Sequence, residues 1–219
     1  MMQLVKKWVK NTLRYAPLPE TKSVRVAIAS AARGGLPYCP DYEGDLIFSI
    51  IREGDFRRCL ETGFHTGSTA LYMTEAVSDR DGTVVSICLD DDETVARGSR
   101  LLQAAGHGEF HRLIRENSNT VLPELFRRGE KFDLIFMDGW KTFDHLAFEM
   151  YFFNQLLVTK GAIVFDDAGL PSVRKAIRLL KSHYGYVEVD YAAHGQTRRL
   201  RLLQIIMTGS FHRPYRALE

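Results

Sequence analysis

The chain has 219 residues, 45% of them hydrophobic and 26% charged, with a formal net charge of +2 and a mean hydropathy of −0.17. That is enough apolar material to bury one core without disulfide or metal staples, and the longest apolar runs, such as Leu46 to Ile51, fall far short of the roughly 20 residues that cross a bilayer. The charge is unevenly placed: residues 1–22 carry five Lys or Arg and one acid, residues 171–219 carry nine and three, and residues 23–170 carry 15 bases against 23 acids. An acidic centre disfavours nucleic acid as the partner, with only the basic ends keeping that option open. Cys39, Cys59 and Cys88 lie 20 and 29 residues apart, which fits neither a disulfide framework nor a paired zinc knuckle, so they read as reduced thiols of a cytoplasmic protein. Lys6, Lys7 and Lys10 interrupt the first apolar pattern and argue against a secretory signal.

Met1, Leu4, Val5, Trp8, Val9 and Leu13 recur at helical spacing, predicting an amphipathic helix over residues 2–14 that ends near Pro17 and Pro19. A second helix is expected over Ser23 to Arg33, closed by Gly34-Gly35, then a loop from Leu36 to Tyr42 and a third helix from Glu43 to Glu53. This N-terminal helical extension, residues 1–55, carries no readable chemistry and suits a cap or an oligomerisation segment, with a homodimer as one outcome. From residue 57 the pattern changes. Strands are expected at 57–62, 83–89, 109–115, 132–138 and 161–166, and helices at 67–79, 92–105, 119–128, 143–158 and 172–182. Five βα units in succession predict an α/β domain over residues 56–219, a doubly wound, mostly parallel Rossmann-like sheet. Tyr186 to Tyr191 and Arg199 to Met207 follow with no helix between them and read as a terminal antiparallel hairpin.

The first strand runs into Glu61-Thr62-Gly63-Phe64-His65-Thr66-Gly67-Ser68-Thr69 and then a helix. Gly63 and Gly67 permit a sharp turn and a close approach of backbone N–H groups to a ligand at the helix N-terminus. The second strand ends at Asp90, 27 residues after Gly63, where a carboxylate would meet a ribose diol. An adenosine-bearing cofactor is the expectation.

Glu-x-Gly-x-x-x-Gly-x-Thr resembles the first motif of the class I S-adenosylmethionine-dependent methyltransferases, more than the Gly-x-Gly-x-x-Gly of nicotinamide dehydrogenases. The resemblance continues through Asp90, Asn117-Ser118-Asn119 with Leu122-Pro123, Phe132 to Lys141 and Gly161 to Asp167, and so covers roughly residues 57–182. It implies S-adenosylmethionine as cofactor, with Gly63, His65 and Thr69 around its methionine part, Asp90 on the ribose, Ser118 near the adenine and Asp91 flanking that pocket. Glu61, Phe64, Gly67 and Asp138 complete the implied cofactor-binding set.

Asp138 ends the fourth strand, and Asp166-Asp167 end the fifth. In a doubly wound sheet these strands are neighbours about 4.8 Å apart, so the three carboxylates converge and call for a cation; Mg2+ is a hard ion that takes such oxygen ligands. The arrangement is similar to that of the catechol-type O-methyltransferases, in which an Asp after the fourth strand and an Asp-Asn pair after the fifth hold magnesium; here Asp167 replaces the Asn. Thr142-Phe143-Asp144-His145 and Pro171-Ser172-Val173-Arg174 look closer to a bacterial branch that acts on small or sugar-containing metabolites and often has His where this chain has Lys141. The resemblance implies Lys141 as the base for the attacking hydroxyl, with His145 as its backup. The expected function is O-methylation of a hydroxyl on a small metabolite, with an optional divalent metal. The alternatives are a metal-independent methyltransferase on RNA or another acceptor, a nicotinamide-dependent oxidoreductase, and a non-catalytic cofactor-binding protein.

Overall fold

The computed structural model describes residues 16–32, 38–189 and 204–208. The helix expected over residues 2–14 and the Gly34-Gly35 pair expected to close the second helix lie outside them. Two helices precede the sheet, α1 (Lys22–Ala31) and α2 (Asp41–Glu53). Strands and helices then alternate: β1 (Arg58–Thr62), α3 (Ser68–Val77), β2 (Thr83–Cys88), α4 (Asp92–Ala104), β3 (His111–Arg115), α5 (Ser118–Arg127), β4 (Phe132–Met137), α6 (Phe143–Leu156), β5 (Leu157–Phe165) and α7 (Pro171–Leu179). A π-helical turn over Leu180–Tyr184, stopped by Gly185, leads to β6 (Tyr186–Val189), and β7 is Gln204–Thr208.

The strands form a seven-stranded sheet in the order β3-β2-β1-β4-β5-β7-β6. β1 to β5 are parallel, and β7 pairs antiparallel with both β5 and β6. The expected hairpin is present, and its second strand inserts between the parallel sheet and the first. The order reverses between β1 and β4, because the chain returns from the β3 edge to the middle. Ligands of such sheets bind outside the C-terminal strand ends at this reversal.

Alternation along the strands sorts the core into layers. On β4, Leu134 and Phe136 share a cluster with Leu46, Ile47, Ile50 and Ile51 of α2 and with Met73, Ala76 and Val77 of α3. Ile135 and Met137 point the other way, onto Leu122 of α5, Leu146, Met150 and Phe153 of α6 and Val173 and Ile177 of α7. α1 joins a third cluster with α3 and α4 through Val24 and Ile28. Thus α2 belongs to the main core although it precedes the sheet in sequence.

The fifth strand starts earlier than the sequence pattern predicts. Its register with β4 steps from Phe132↔Leu157 to Leu134↔Ala162, an irregularity that takes up extra residues including Lys160 at φ 70. Lys160-Gly161 looks like a turn in the sequence, and it is a bulge within the strand. Cys39, Cys59 and Cys88 are free thiols. Among the described residues, no helix is long and apolar enough to cross a membrane.

Candidate active site

The C-terminal ends of β1, β2 and β4 open onto a cleft of about 620 Å³ whose walls include Gly63, His65, Asp90, Ser118, Asp138 and His145. The β1–α3 turn forms its floor. Gly63 sits at φ 95, and a Cβ there would lie 2.5 Å from the Asp138 carbonyl oxygen. The turn therefore touches the end of β4 backbone to backbone, a contact closed further by Asp138 N–H donating to the Thr62 carbonyl at 2.9 Å. Gly67, at φ 72, starts α3 in the left-handed region. His65, also left-handed at φ 45, aims its N–H at Asp90 Oδ2, 2.9 Å away. One Asp90 oxygen thus braces the turn.

Glu61 lies fully buried beneath the turn. Ser86 donates its hydroxyl to Glu61 Oε2 at 2.6 Å and lies 2.9 Å from His111 Nε2, while Glu61 Oε1 has no partner among the described residues. Burial pushes the Glu61 carboxyl up to about 8, with the Ser86 hydrogen bond opposing and the Asp138 and Asp90 charges adding. Burial pulls His111 down to about 4.

Asp138, Asp166 and Asp167 each place a carboxylate oxygen within 4.8 Å of the others. The cation that their repulsion demands is supplied in part by the chain. Lys141 Nζ donates to Asp138 Oδ1 at 2.7 Å and to the Gly139 carbonyl at 3.3 Å, and lies 3.8 Å from Asp167 Oδ2. Burial pushes Asp138 up to about 7, against the Lys141 charge and with that of Asp166. An all-oxygen set this compact fits a hard divalent ion, which would compete with Lys141 for Asp138.

His145 lines the same cleft as Asp138. Its Nε2 lies 3.1 Å from Ser118 Oγ and 3.1 Å from Glu149 Oε1, so it joins the start of α5 to α6. The Glu149 hydrogen bond holds its imidazole above the usual range, opposed by burial. Phe64 is buried and stacks on His111 at 5.1 Å, filling the space between Gly67 and Gly98. It supports the turn from behind. Asp91 accepts from the N–H groups of Glu93 and Thr94 and from the Thr94 hydroxyl, so its carboxylate caps α4. Thr69 lies beside the Cys39 thiol, which burial, Glu43, Asp138 and Asp166 all push up.

Sequence reasoning did not single out Leu89, Asn117, Trp140 or Glu149, all of which line the cleft. Leu89 and Trp140 stand 68% and 69% exposed on the cleft wall. Glu149 had a legible signal: a lone acid beside the inward-facing Leu146, Met150 and Phe153 of α6.

The residues fit an adenosine-bearing sulfonium. Leu89 and Trp140 offer the cleft apolar surface, and Asp90 and Asp138 offer it carboxylates. Residues 60–168, about half of the chain, match the family described as a methyltransferase domain. No curated protein matches the sequence significantly. Among solved structures, the chain is similar to the methyltransferase PaMTH1 of Podospora anserina bound to SAH, at 16% identity and a TM-score of 0.73, covering 95% of this chain and 96% of that one. It is similar to TomG of Streptomyces achromogenes, an O-methyltransferase of tomaymycin synthesis in complex with SAM, at 20% identity and a TM-score of 0.64, covering 86% and 90%. The SAH-bound O-methyltransferase of Bacillus cereus superposes with a TM-score of 0.66 at 14% identity, covering 94% and 97%. At such identities the structures speak for the fold, and the family match together with the glycine turn and Asp90 speaks for the cofactor class. The chain belongs to the class I S-adenosylmethionine-dependent methyltransferases.

Proposed function

We propose that this enzyme O-methylates a hydroxyl group of a small metabolite. One observation carries the reading: Lys141 and three strand-end carboxylates cluster around Asp138, which lines the cleft, with Nζ 2.7 Å from Asp138. When bound, S-adenosylmethionine supplies the electrophilic methyl group. Asp90 holds the ribose, and Gly63 leaves room for the methionine part to lie against the backbone. The Lys141–Asp138 pair accepts the proton of the acceptor hydroxyl. A pair with a carboxyl pushed up to about 7 has room for one more proton near neutrality. Orientation of the hydroxyl against the methyl carbon supplies the rest.

Mg2+ would be held by Asp138, Asp166 and Asp167 and would acidify an acceptor hydroxyl bound to it. Residues 1–55 are assigned to capping the acceptor side or to homodimer contact. Supporting the cap, Cys39 donates its N–H to Ser68 Oγ at 2.8 Å, which seats the Tyr38-Cys39-Pro40 segment over the start of α3. Three free thiols support a reducing, cytoplasmic setting.

The test is calorimetric titration with S-adenosylmethionine, followed by transfer of labelled methyl into pools of hydroxylated metabolites, with and without EDTA. Binding and labelled ether products support the reading. No heat at millimolar cofactor overturns it.

A further inference from the structure

A second hollow, of about 580 Å³, lies between α1 and α4, and none of its wall residues lines the cofactor cleft. Its origin is local. Ala27 and Ala31 share one face of α1, and Arg97, Leu101 and Ala104 share one face of α4, at the three- and four-residue spacing that stacks side chains along a helix. Facing helices normally close by setting the ridges of one into the grooves of the other. Val24 and Ile28 of α1 and Leu101 and Leu102 of α4 do join in one buried cluster. Past them the facing side chains are alanines, and the space between the helices stays open on the scale of a small-molecule site.

The charge of the wall is one-sided. Arg97 and Arg100 stand three residues apart on α4, and no acid is among the wall residues. Arg97 pairs with Glu93, one turn back and not on the wall, while Arg100 has no ion pair among the described residues. Residues 23–170 carry 23 acids against 15 bases, so two neighbouring cations with one acid between them depart from their surroundings. Two guanidinium groups at one opening repel each other, and each presents a planar fork of N–H donors that matches a carboxylate or a phosphate. Tyr38 forms another part of the wall, held to the end of α1 by its hydroxyl, which donates to the Ala31 carbonyl at 3.1 Å.

We infer that this hollow is a second ligand site, for a small amphiphilic anion whose apolar body lies on Ala27, Ala31, Leu101 and Ala104 and whose carboxylate or phosphate is bound by Arg97 and Arg100. The alanines and Leu101 supply apolar area, and the guanidinium groups select the charge. Gly98 lies on a different face of the same helix, where an added Cβ would sit 2.9 Å from the Thr66 backbone in the glycine turn. The hollow and the cofactor turn therefore use separate faces of α4, and both sites can be filled at once. The inference does not depend on the cofactor reading above.

Calorimetry on the full chain with sodium octanoate, octyl phosphate and octylamine tests this, because the three share one chain and differ in the head group. At least one of the two anions is expected to bind with a Kd below about 1 mM, and at least about tenfold more tightly than octylamine. Octanoate alone would mark the ligand as a carboxylate, octyl phosphate alone as a phosphate, and both together as any oxyanion. The double variant Arg97→Gln, Arg100→Gln should lose at least about tenfold in affinity for the anion, with S-adenosylhomocysteine binding as in the wild type. Ala31→Trp, which fills the hollow and keeps both charges, should lose the anion too, and it decides the matter if the double variant does not fold. Silence of both anions at millimolar concentration overturns the inference. So does octylamine binding as tightly as the anions, or an unchanged anion affinity in either folded variant. Loss of the anion when S-adenosylhomocysteine saturates the protein also overturns it, by placing the anion in the cofactor cleft.

Discussion

Replacing Gly63 by alanine perturbs the contact that joins the cofactor turn to the acidic strand end. Two costs add. An L residue at φ 95 pays about 1–2 kcal/mol for the left-handed backbone. The new Cβ would also lie 2.5 Å from the Asp138 carbonyl oxygen and 2.7 Å from its carbon. Neither is the end of a flexible side chain, so the turn and β4 must separate, at an overpacking cost of about 1–3 kcal/mol. The expected loss of stability is therefore about 2–5 kcal/mol. Gly129→Ala is the matched control: its φ is 70, and nothing lies within 4 Å of the added Cβ, so only the backbone cost of about 1–2 kcal/mol remains. Urea unfolding of the two variants measures the difference, and titration with S-adenosylhomocysteine measures its consequence. Gly63→Ala should lose at least about tenfold in affinity, equivalent to about 1.4 kcal/mol, while Gly129→Ala binds like the wild type. Equal destabilisation by the two substitutions, or undiminished affinity in Gly63→Ala, would refute the close approach as the reason for a glycine at this position.

Other expectations concern charge. Lys141→Met should lower methyl transfer by about 10²–10⁴-fold with cofactor affinity held within a few-fold, and a variant that keeps half its turnover would remove Lys141 from the proton path. If a metal assists, Asp166→Ala should lose its response to added Mg2+, whereas EDTA-insensitive turnover in the wild type would leave Lys141 as the only cation required. Glu61 has a signed pH dependence. Its carboxyl rises from 4.5 to about 8 on folding, so between those values the folded state binds more protons than the unfolded one and stability falls as pH rises. Glu61→Gln removes that term, and its stability relative to the wild type should grow from pH 5 to pH 8 in denaturant titrations. A constant difference across that range would mean that Glu61 is already ionised in the fold.

The β/α alternation was legible because its cause is local. Strand residues such as Leu134 to Met137 form one unbroken apolar run, and helices such as α4 carry a stripe at 3.6-residue spacing with Asp91 capping the start. The Gly63 and Gly67 turn was legible for the same reason, since a left-handed φ restricts the residue type at its own position. The start of β5 was less so, because a bulge at Lys160-Gly161 uses the same residue types as a turn and only pairing with β4 distinguishes them.

What local pattern determines here is the succession of elements, the sheet class and the positions where strand ends offer acids. Which side chains meet at those ends was decided by packing. Lys141 meets Asp138 locally, three residues apart, but reaches Asp167 because β4 and β5 are adjacent in the sheet. His145 turns to Ser118 and Glu149 because α6 lies against α5. Phe64 and Asp91, which sit in the cofactor motifs by sequence, face the core and a helix end. A residue's place in a motif sets where its backbone runs, but the direction of its side chain is chosen by neighbours distant in the chain, through burial and hydrogen bonds that exist only once the layers have closed.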